Sequence, residues 1–168
     1  MENYAYPHPV QFFSLTIDGQ DLKMAYMDVV PAVEKEKHGA VVLFHGKNFF
    51  GAYWKDTIAV LRDTGFRVIV PDQIGFGKSS KPDIHYSFHL FAKNTHELLA
   101  SLGIDRAAIG KDRVSKEVAA TMGNYPELGK KAAALIPNAK LVPIENCGHI
   151  PHFEAPAKFH GALLEFLK

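Results

Sequence analysis

Ala40-Val41-Val42-Leu43-Phe44-His45-Gly46 is the stretch that decides the fold. Its first five residues are apolar without polar alternation, as expected of a strand covered on both faces. The run then breaks at His45-Gly46, where glycine lets the backbone turn sharply and aim the N–H groups of Lys47 or Asn48 into a cleft. Downstream, Trp54, Ile58 and Leu61 recur at helical spacing and Thr64-Gly65 ends that helix. A second apolar run, Phe66 to Val70, is stopped by Pro71. The order strand, helix, strand is that of a parallel pair joined by a crossover helix.

Working outward, Phe12 to Ile17 and Leu22 to Val29 read as strands joined at Asp18-Gly19, a dipeptide suited to the positive φ angles of a tight hairpin. Pro31 to Gly39 is a charged loop. Gln73 to Pro82 is a long loop rich in Gly, Ser and Lys. A helix follows with Phe88, Phe91, Thr95, Leu98 and Leu102 on one face, closed by Gly103. Ile104 to Ile109 reads as a short strand, and Pro126 opens a helix through Leu128, Ala132 and Leu135 that Pro137 stops. Lys140 to Ile144 is strand-like, with Pro143 marking an edge position, and Pro156 opens a last helix striped by Phe159, Leu163 and Phe166. The fold class expected is α/β: a mostly parallel sheet with helices on both faces and an N-terminal antiparallel hairpin. Ligand sites in such sheets lie beyond the carboxyl ends of the strands.

The chain has 168 residues, which suits a single domain over residues 1–168. Nineteen Lys and Arg against 18 Asp and Glu give a net charge of +1, and no run of like charges points to nucleic acid or to a polybasic membrane anchor. Apolar residues at 47% and charged residues at 22% are ordinary globular usage. The longest apolar runs fall far short of the ~20 residues of a membrane span. Met1 to Tyr4 lacks the apolar stretch of a signal peptide, so the chain as written is expected to be soluble and not exported, cytoplasmic by default.

The residues that can carry chemistry cluster in three places. The first is the His45-Gly46 turn. The second is Asp72-Gln73-Ile74-Gly75-Phe76-Gly77-Lys78-Ser79-Ser80, which invites a phosphate-loop reading but lacks the full G-x-x-x-x-G-K-[ST] spacing and reads better as a glycine-rich connection capped by Asp72. The third is Asn146-Cys147-Gly148-His149-Ile150-Pro151-His152-Phe153-Glu154, where His149 sits between the last strand and the last helix, the place of a general base. His152 suits packing or solvent. The single cysteine, Cys147, suits a small buried thiol better than a nucleophile. Nine histidines show no zinc spacing, so no metal is expected.

Together, His45-Gly46, the Asp72 to Ser80 segment and Gly148-His149 with Pro151 and Glu154 resemble the α/β-hydrolase fold superfamily, in its esterase-like and proline-iminopeptidase-like branch. The resemblance runs from about Pro9 to Lys168. It implies that His149 is the histidine of a catalytic triad and that the Lys47 N–H, with Asn48 beside it, is an oxyanion donor. It also implies side-chain chemistry without a cofactor and a small ester-like substrate. One element of the pattern is missing. A G-x-S-x-G elbow is required, and none of Ser14, Ser79, Ser80, Ser87, Ser101 and Ser115 lies between glycines two residues either side.

In the superfamily a stretch like Leu98 to Ile109 leads into the strand that ends at the nucleophile; here it runs into Gly110-Lys111-Asp112-Arg113, which resembles the region around the catalytic acid. The resemblance therefore implies an internal deletion with its junction near residues 109–111. Asp112 is the acid expected to orient His149, with Asp105 as the alternative and a surface ion pair as the plain role of either. Two functions follow as expectations. One is a protein of ester or acyl hydrolase lineage without the serine nucleophile, at best weakly hydrolytic through His149. The other is a non-catalytic remnant or minimal engineered scaffold that binds or self-associates. A homodimer or swapped assembly is expected if Ile104 to Ile109 fails to dock beside Ala40 to Phe44.

Overall fold

In a computed structural model of the protein, described over residues 3–31, 38–111, 142–144, 147 and 150–167, the two leading strands are β1 (Val10–Ile17) and β2 (Gln20–Val29). Asp18 and Gly19 take φ of 49° and 73°, so both central residues of the turn are left-handed, as a type I′ hairpin demands. That two-residue turn fixes the register at Ile17 opposite Gln20 and carries the pairing out to Val10 opposite Met27. Both strands thus reach two residues beyond the apolar runs, because ladder bonds form whatever the side chain.

β3 (Ala40–Phe44) occupies the residues the sequence assigns it. A 3₁₀ turn at Gly51–Trp54 leads into α1 (Lys55–Asp63), and β4 is Arg67–Pro71. Gly65, at φ 99°, ends α1: its N–H donates to Arg62 C=O at 3.1 Å, and the Phe66 N–H donates to Leu61 C=O at 3.0 Å. The same closure ends α2 (Phe88–Ser101), where Gly103 lies at φ 67° and Ile104 N–H donates to Leu99 C=O at 2.9 Å. Ser87 caps the start of α2 by accepting the Leu90 N–H at 3.1 Å. β5 is Ala107–Lys111, three residues later than Ile104.

The sheet order is β1-β2-β4-β3-β5. β4, β3 and β5 are parallel neighbours, whereas β2 is antiparallel to both β1 and β4, so four of the five strands point one way. β5 pairs with β3 over its whole length, from Ala107 opposite Ala40 to Lys111 opposite Phe44, which makes β3 an interior strand.

Each face of this sheet carries a helix. On one face Leu98 of α2 joins Met24, Tyr26, Val42, Ile69 and Ile74 in a buried apolar cluster. On the other, α1 packs on β4, and Gly51 lies against Val70 and Met27. Arg67 and Asp28 brace adjacent strands through paired bonds of 2.9 and 2.7 Å.

The chain divides into two compact units, Met1–Lys111 and Asp112–Lys168. The described part of the second contains α3 (Pro151–Glu154) and α4 (Pro156–Leu167). His152 is buried and packs its ring against Phe153 and Phe159, with centroids 4.9 and 5.8 Å away, so packing is its role. Phe166 does not join Phe159 and Leu163 on the half-buried stripe; it is 61% exposed. Residues 142–144 form no strand, and Pro143 has no N–H to give to a ladder; the rest of the expected Lys140 to Ile144 strand and the helix through Leu128 to Leu135 lie outside the described residues.

Candidate functional site

Parallel β3, β4 and β5 bring their carboxyl ends to one edge of the sheet. The connection after β3 begins with His45, whose buried imidazole is fully engaged. Nε2 accepts the Gln73 N–H at 2.9 Å, so the proton sits on Nδ1, which donates to Gly46 C=O at 2.9 Å. Burial holds the pKa of His45 below the ordinary value, against the opposing pull of the Gly46 carbonyl and the Asp72 charge. A neutral imidazole with both nitrogens engaged positions the turn and carries no proton to a substrate.

From there the chain makes a four-residue turn in which the Phe49 N–H donates to Gly46 C=O at 3.1 Å. Lys47 and Asn48, at its tip, are exposed, and their backbone N–H groups donate to no acceptor among the described residues. At the far end of the turn the Gly51 N–H donates to Asp72 Oδ1 at 2.6 Å. The connection is therefore fastened at both ends, to Asp72 and Gln73, and open in the middle.

Asp72, 1% exposed, is the hub of the connection after β4. Beyond Gly51, its Oδ2 accepts the Tyr6 hydroxyl at 2.6 Å and the Lys78 N–H at 2.8 Å. Its backbone N–H donates to Ala25 C=O at 2.8 Å, and its carbonyl accepts the Ser79 hydroxyl at 2.6 Å. That hydroxyl in turn accepts the Ala25 N–H at 2.8 Å, and Ser80 Oγ accepts the Lys23 N–H at 2.9 Å, so two serines extend the β2 ladder. Burial, then the Asp72 carboxylate, drives the Tyr6 phenol pKa upward. Gly77, at φ 49°, passes so close that a Cβ there would fall on the Asp72 carboxylate.

This accounts for the glycine-rich segment without a phosphate. The N–H groups of Gly75, Phe76, Ser79 and Ser80 donate to the chain's own carbonyls, and Asp72 takes the place an anion would hold in a phosphate loop. Tyr6 was not legible as part of this site, since it lies 66 residues from Asp72 and belongs to no motif. Gln73 Nε2 donates to Thr95 Oγ1 at 3.3 Å, while Gln73 Oε1 and the whole Asn94 amide are buried without a hydrogen-bond partner among the described residues.

Of the residues expected to act, Lys47 and Asn48 stand at the carboxyl edge as described. His149 and Asp112 lie outside the described residues, although Asp112 follows directly on Lys111, the last residue of β5. Asp105 is exposed in the connection leading into β5, at the amino end of that strand rather than its carboxyl end. Among the described residues no three His, Cys, Asp or Glu side chains gather as metal ligands, and no helix is long and apolar enough to cross a membrane.

The alpha/beta hydrolase fold family model matches residues 39–128, more than half of the chain. The chain belongs to the alpha/beta hydrolase family. Within it, this hydrolase-family chain is 34% identical over 99 residues to a putative non-heme chloroperoxidase of Synechocystis, covering 58% of this chain and 36% of that protein. It is 36% identical over 85 residues to epoxide hydrolase A of Mycobacterium tuberculosis, covering 48% of this chain and 26% of that protein. It thus spans about a third or less of the curated relatives it matches. A crystal structure of a probable hydrolytic enzyme from Pseudomonas aeruginosa superposes with a TM-score of 0.88 at 26% identity, covering 99% of this chain and 96% of that one. The short form of the alpha/beta hydrolase fold therefore recurs in a solved protein of nearly the same extent.

Proposed function

We propose that the chain is a protein of ester or acyl hydrolase lineage that lacks the serine nucleophile and hydrolyses small activated esters weakly, with His149 as general base on water. The observation that carries this reading is the turn after β3. It is fastened at both ends by His45 to Gln73 and by Gly51 to Asp72, and it offers two N–H groups with no acceptor among the described residues. Such a turn supports an oxyanion site. In this reading His149 takes a proton from water as the water oxygen bonds to the ester carbonyl carbon. The Lys47 and Asn48 N–H groups receive the developing oxyanion, and His149 returns the proton to the departing alkoxide as the C–O bond breaks. Asp112 holds the His149 tautomer. Catalysis left after loss of a triad member is about 10³–10⁴-fold over water, so the activity is slow.

The test is hydrolysis of p-nitrophenyl acetate at about pH 7.5, where an unperturbed histidine is largely neutral. The expected result is a rate that falls several-fold in His149→Ala. Equal rates in the two chains would overturn the reading, because the other eight histidines of the nine supply the background.

A second reading is favoured by the absent G-x-S-x-G: a non-catalytic remnant or minimal scaffold that binds or self-associates. Its assembly would not need β3, which is paired on both sides, so a homodimer would form through β1 or β5, the sheet's outer strands among the described residues. Sedimentation at rising concentration checks this, and a monomer throughout would sink self-association.

A further inference from the structure

We propose that the cleft between the β1–β2 hairpin and the loop after β4 binds a small organic anion, an apolar body bearing a carboxylate or phosphate head. The cleft is an open groove of about 880 Å³. Three segments build it. Phe12 of β1, Lys23 of β2, Tyr4 from the leading segment and the loop carrying Lys78 and Lys81 all line it. The inference is independent of His149 and of the hydrolytic reading.

Charge is the first argument. Three lysines line one cleft, and among the described residues no Asp or Glu lines it and none of the three lysines forms an ion pair. The buried Asp72 carboxylate, close to Gly77, has its oxygens engaged by Gly51 N–H, the Tyr6 hydroxyl and Lys78 N–H. An anion placed among the three lysine side chains is attracted by each of them.

Order is the second argument. Lys81 Nζ donates to Gly77 C=O at 2.8 Å and to Ser79 C=O at 3.1 Å, and Lys78 Nζ stands 4.7 Å over the Tyr6 ring. Two of the three ammonium groups are thereby held in place before any ligand arrives, which lowers the entropy cost of binding.

The apolar body follows from the walls. Tyr4 and Phe12, 52% and 53% exposed, are two of the large hydrophobic side chains the described residues leave open to solvent, and both line this cleft. Tyr4 is braced by a T-shaped contact with Phe50, with centroids 5.0 Å apart. Bare phosphate would use the lysines and leave these rings wet. An aryl or alkyl anion covers both.

The test is titration of the full chain, followed by amide NMR shifts, with phenyl phosphate and phenylacetate, and with inorganic phosphate and neutral 2-phenylethanol as comparators. Both aryl anions are expected to shift residues of the cleft saturably, and both comparators to bind at least about tenfold more weakly. The ratio between the two aryl anions tells whether phosphate or carboxylate is the favoured head. Lys23→Gln and Lys78→Gln are each expected to weaken binding about fivefold, and Lys55→Gln on α1, outside the cleft, to leave it unchanged. Lys23 is an exposed strand residue, so its variant tests the site without burdening the fold. Inorganic phosphate binding as tightly as phenyl phosphate would overturn the apolar half of the site. Affinity unmoved by both lysine variants would overturn the site altogether.

Discussion

The two connections at the carboxyl edge of the sheet are built from similar residue types and use their backbone in opposite ways. In the loop from Asp72 to Ser80, N–H groups are turned inward onto the chain's own carbonyls, onto one buried carboxylate or onto the His45 ring. In the turn from Gly46 to Phe49, only the closing N–H is used in this way, and the tip residues Lys47 and Asn48 keep theirs outward. The first arrangement makes stability and the second leaves capacity for a ligand. The two are mechanically one object, because Asp72 and Gln73 hold both ends of the turn.

The largest effect on this contrast should come from Asp72→Ala. The side chain is buried and serves three donors from three segments, so its loss strands Gly51 N–H, Lys78 N–H and the Tyr6 hydroxyl together. Destabilisation of about 3–5 kcal/mol is expected in urea unfolding, the scale for breaking a buried hydrogen-bonded charge cluster. A loss below about 1 kcal/mol would mean that the loop is held by its glycines and serines alone.

Gly77→Ala attacks the same hub without removing the carboxylate. The added Cβ collides with Asp72, and φ of 49° is a conformation alanine resists. A cost of about 2–4 kcal/mol is expected from overpacking and strain together. Gly46→Ala is the comparison, since Gly46 is not among the positive-φ glycines, and it should cost less than Gly77→Ala in the same unfolding measurement.

Much of the fold was legible because its decisive signals are local. The unbroken apolar run Ala40 to Phe44 is β3 as read, and Asp18-Gly19 makes the turn its φ angles permit. The strand starts after each helix were misread for one shared reason. Phe66 and Ile104 are apolar because each closes the helix before it, donating its N–H to Leu61 or Leu99 just past a left-handed glycine, and neither begins a strand. An apolar residue after Gly reads identically in either role until the helix end is known. Asp72 was legible as a cap, but its partners Tyr6 and Gly51 come from distant segments brought in by the sheet, and no spacing announces them.

A smaller effect, with a sign fixed by burial, should come from His45→Gln. The folded pKa of His45 lies below its unfolded value of about 6.5, so the unfolded chain binds the extra proton first. The stability contributed by neutral His45 is present above about pH 6.5 and is lost as pH falls below it toward the folded pKa. His45→Gln should cost about 1–2 kcal/mol at pH 7.5, since the Gln73 N–H loses a well-placed acceptor. It should also flatten the acid limb of stability below about pH 6.5 relative to the parent chain. An acid limb of the same slope in both proteins would mean that other groups carry it.

The smallest effect on stability is expected where the contrast bears most on function, at Lys47→Pro. Lys47 is the second residue of the Gly46–Phe49 turn, the position at which proline's fixed φ is favoured, and Gly46 before it has no Cβ to clash with the ring. The substitution deletes one outward N–H and no internal hydrogen bond, so unfolding free energy should move by less than about 1 kcal/mol. If that N–H receives an oxyanion, the His149-dependent part of the ester rate should fall by about 10²-fold, the scale for removing one such donor, which brings the measured rate down to that of His149→Ala. A fall in rate with an unmoved midpoint would separate the outward turn from the inward loop by function, since the loop variants lose stability first. An unchanged rate would make Lys47 an ordinary turn residue and leave Asn48 as the remaining tip donor.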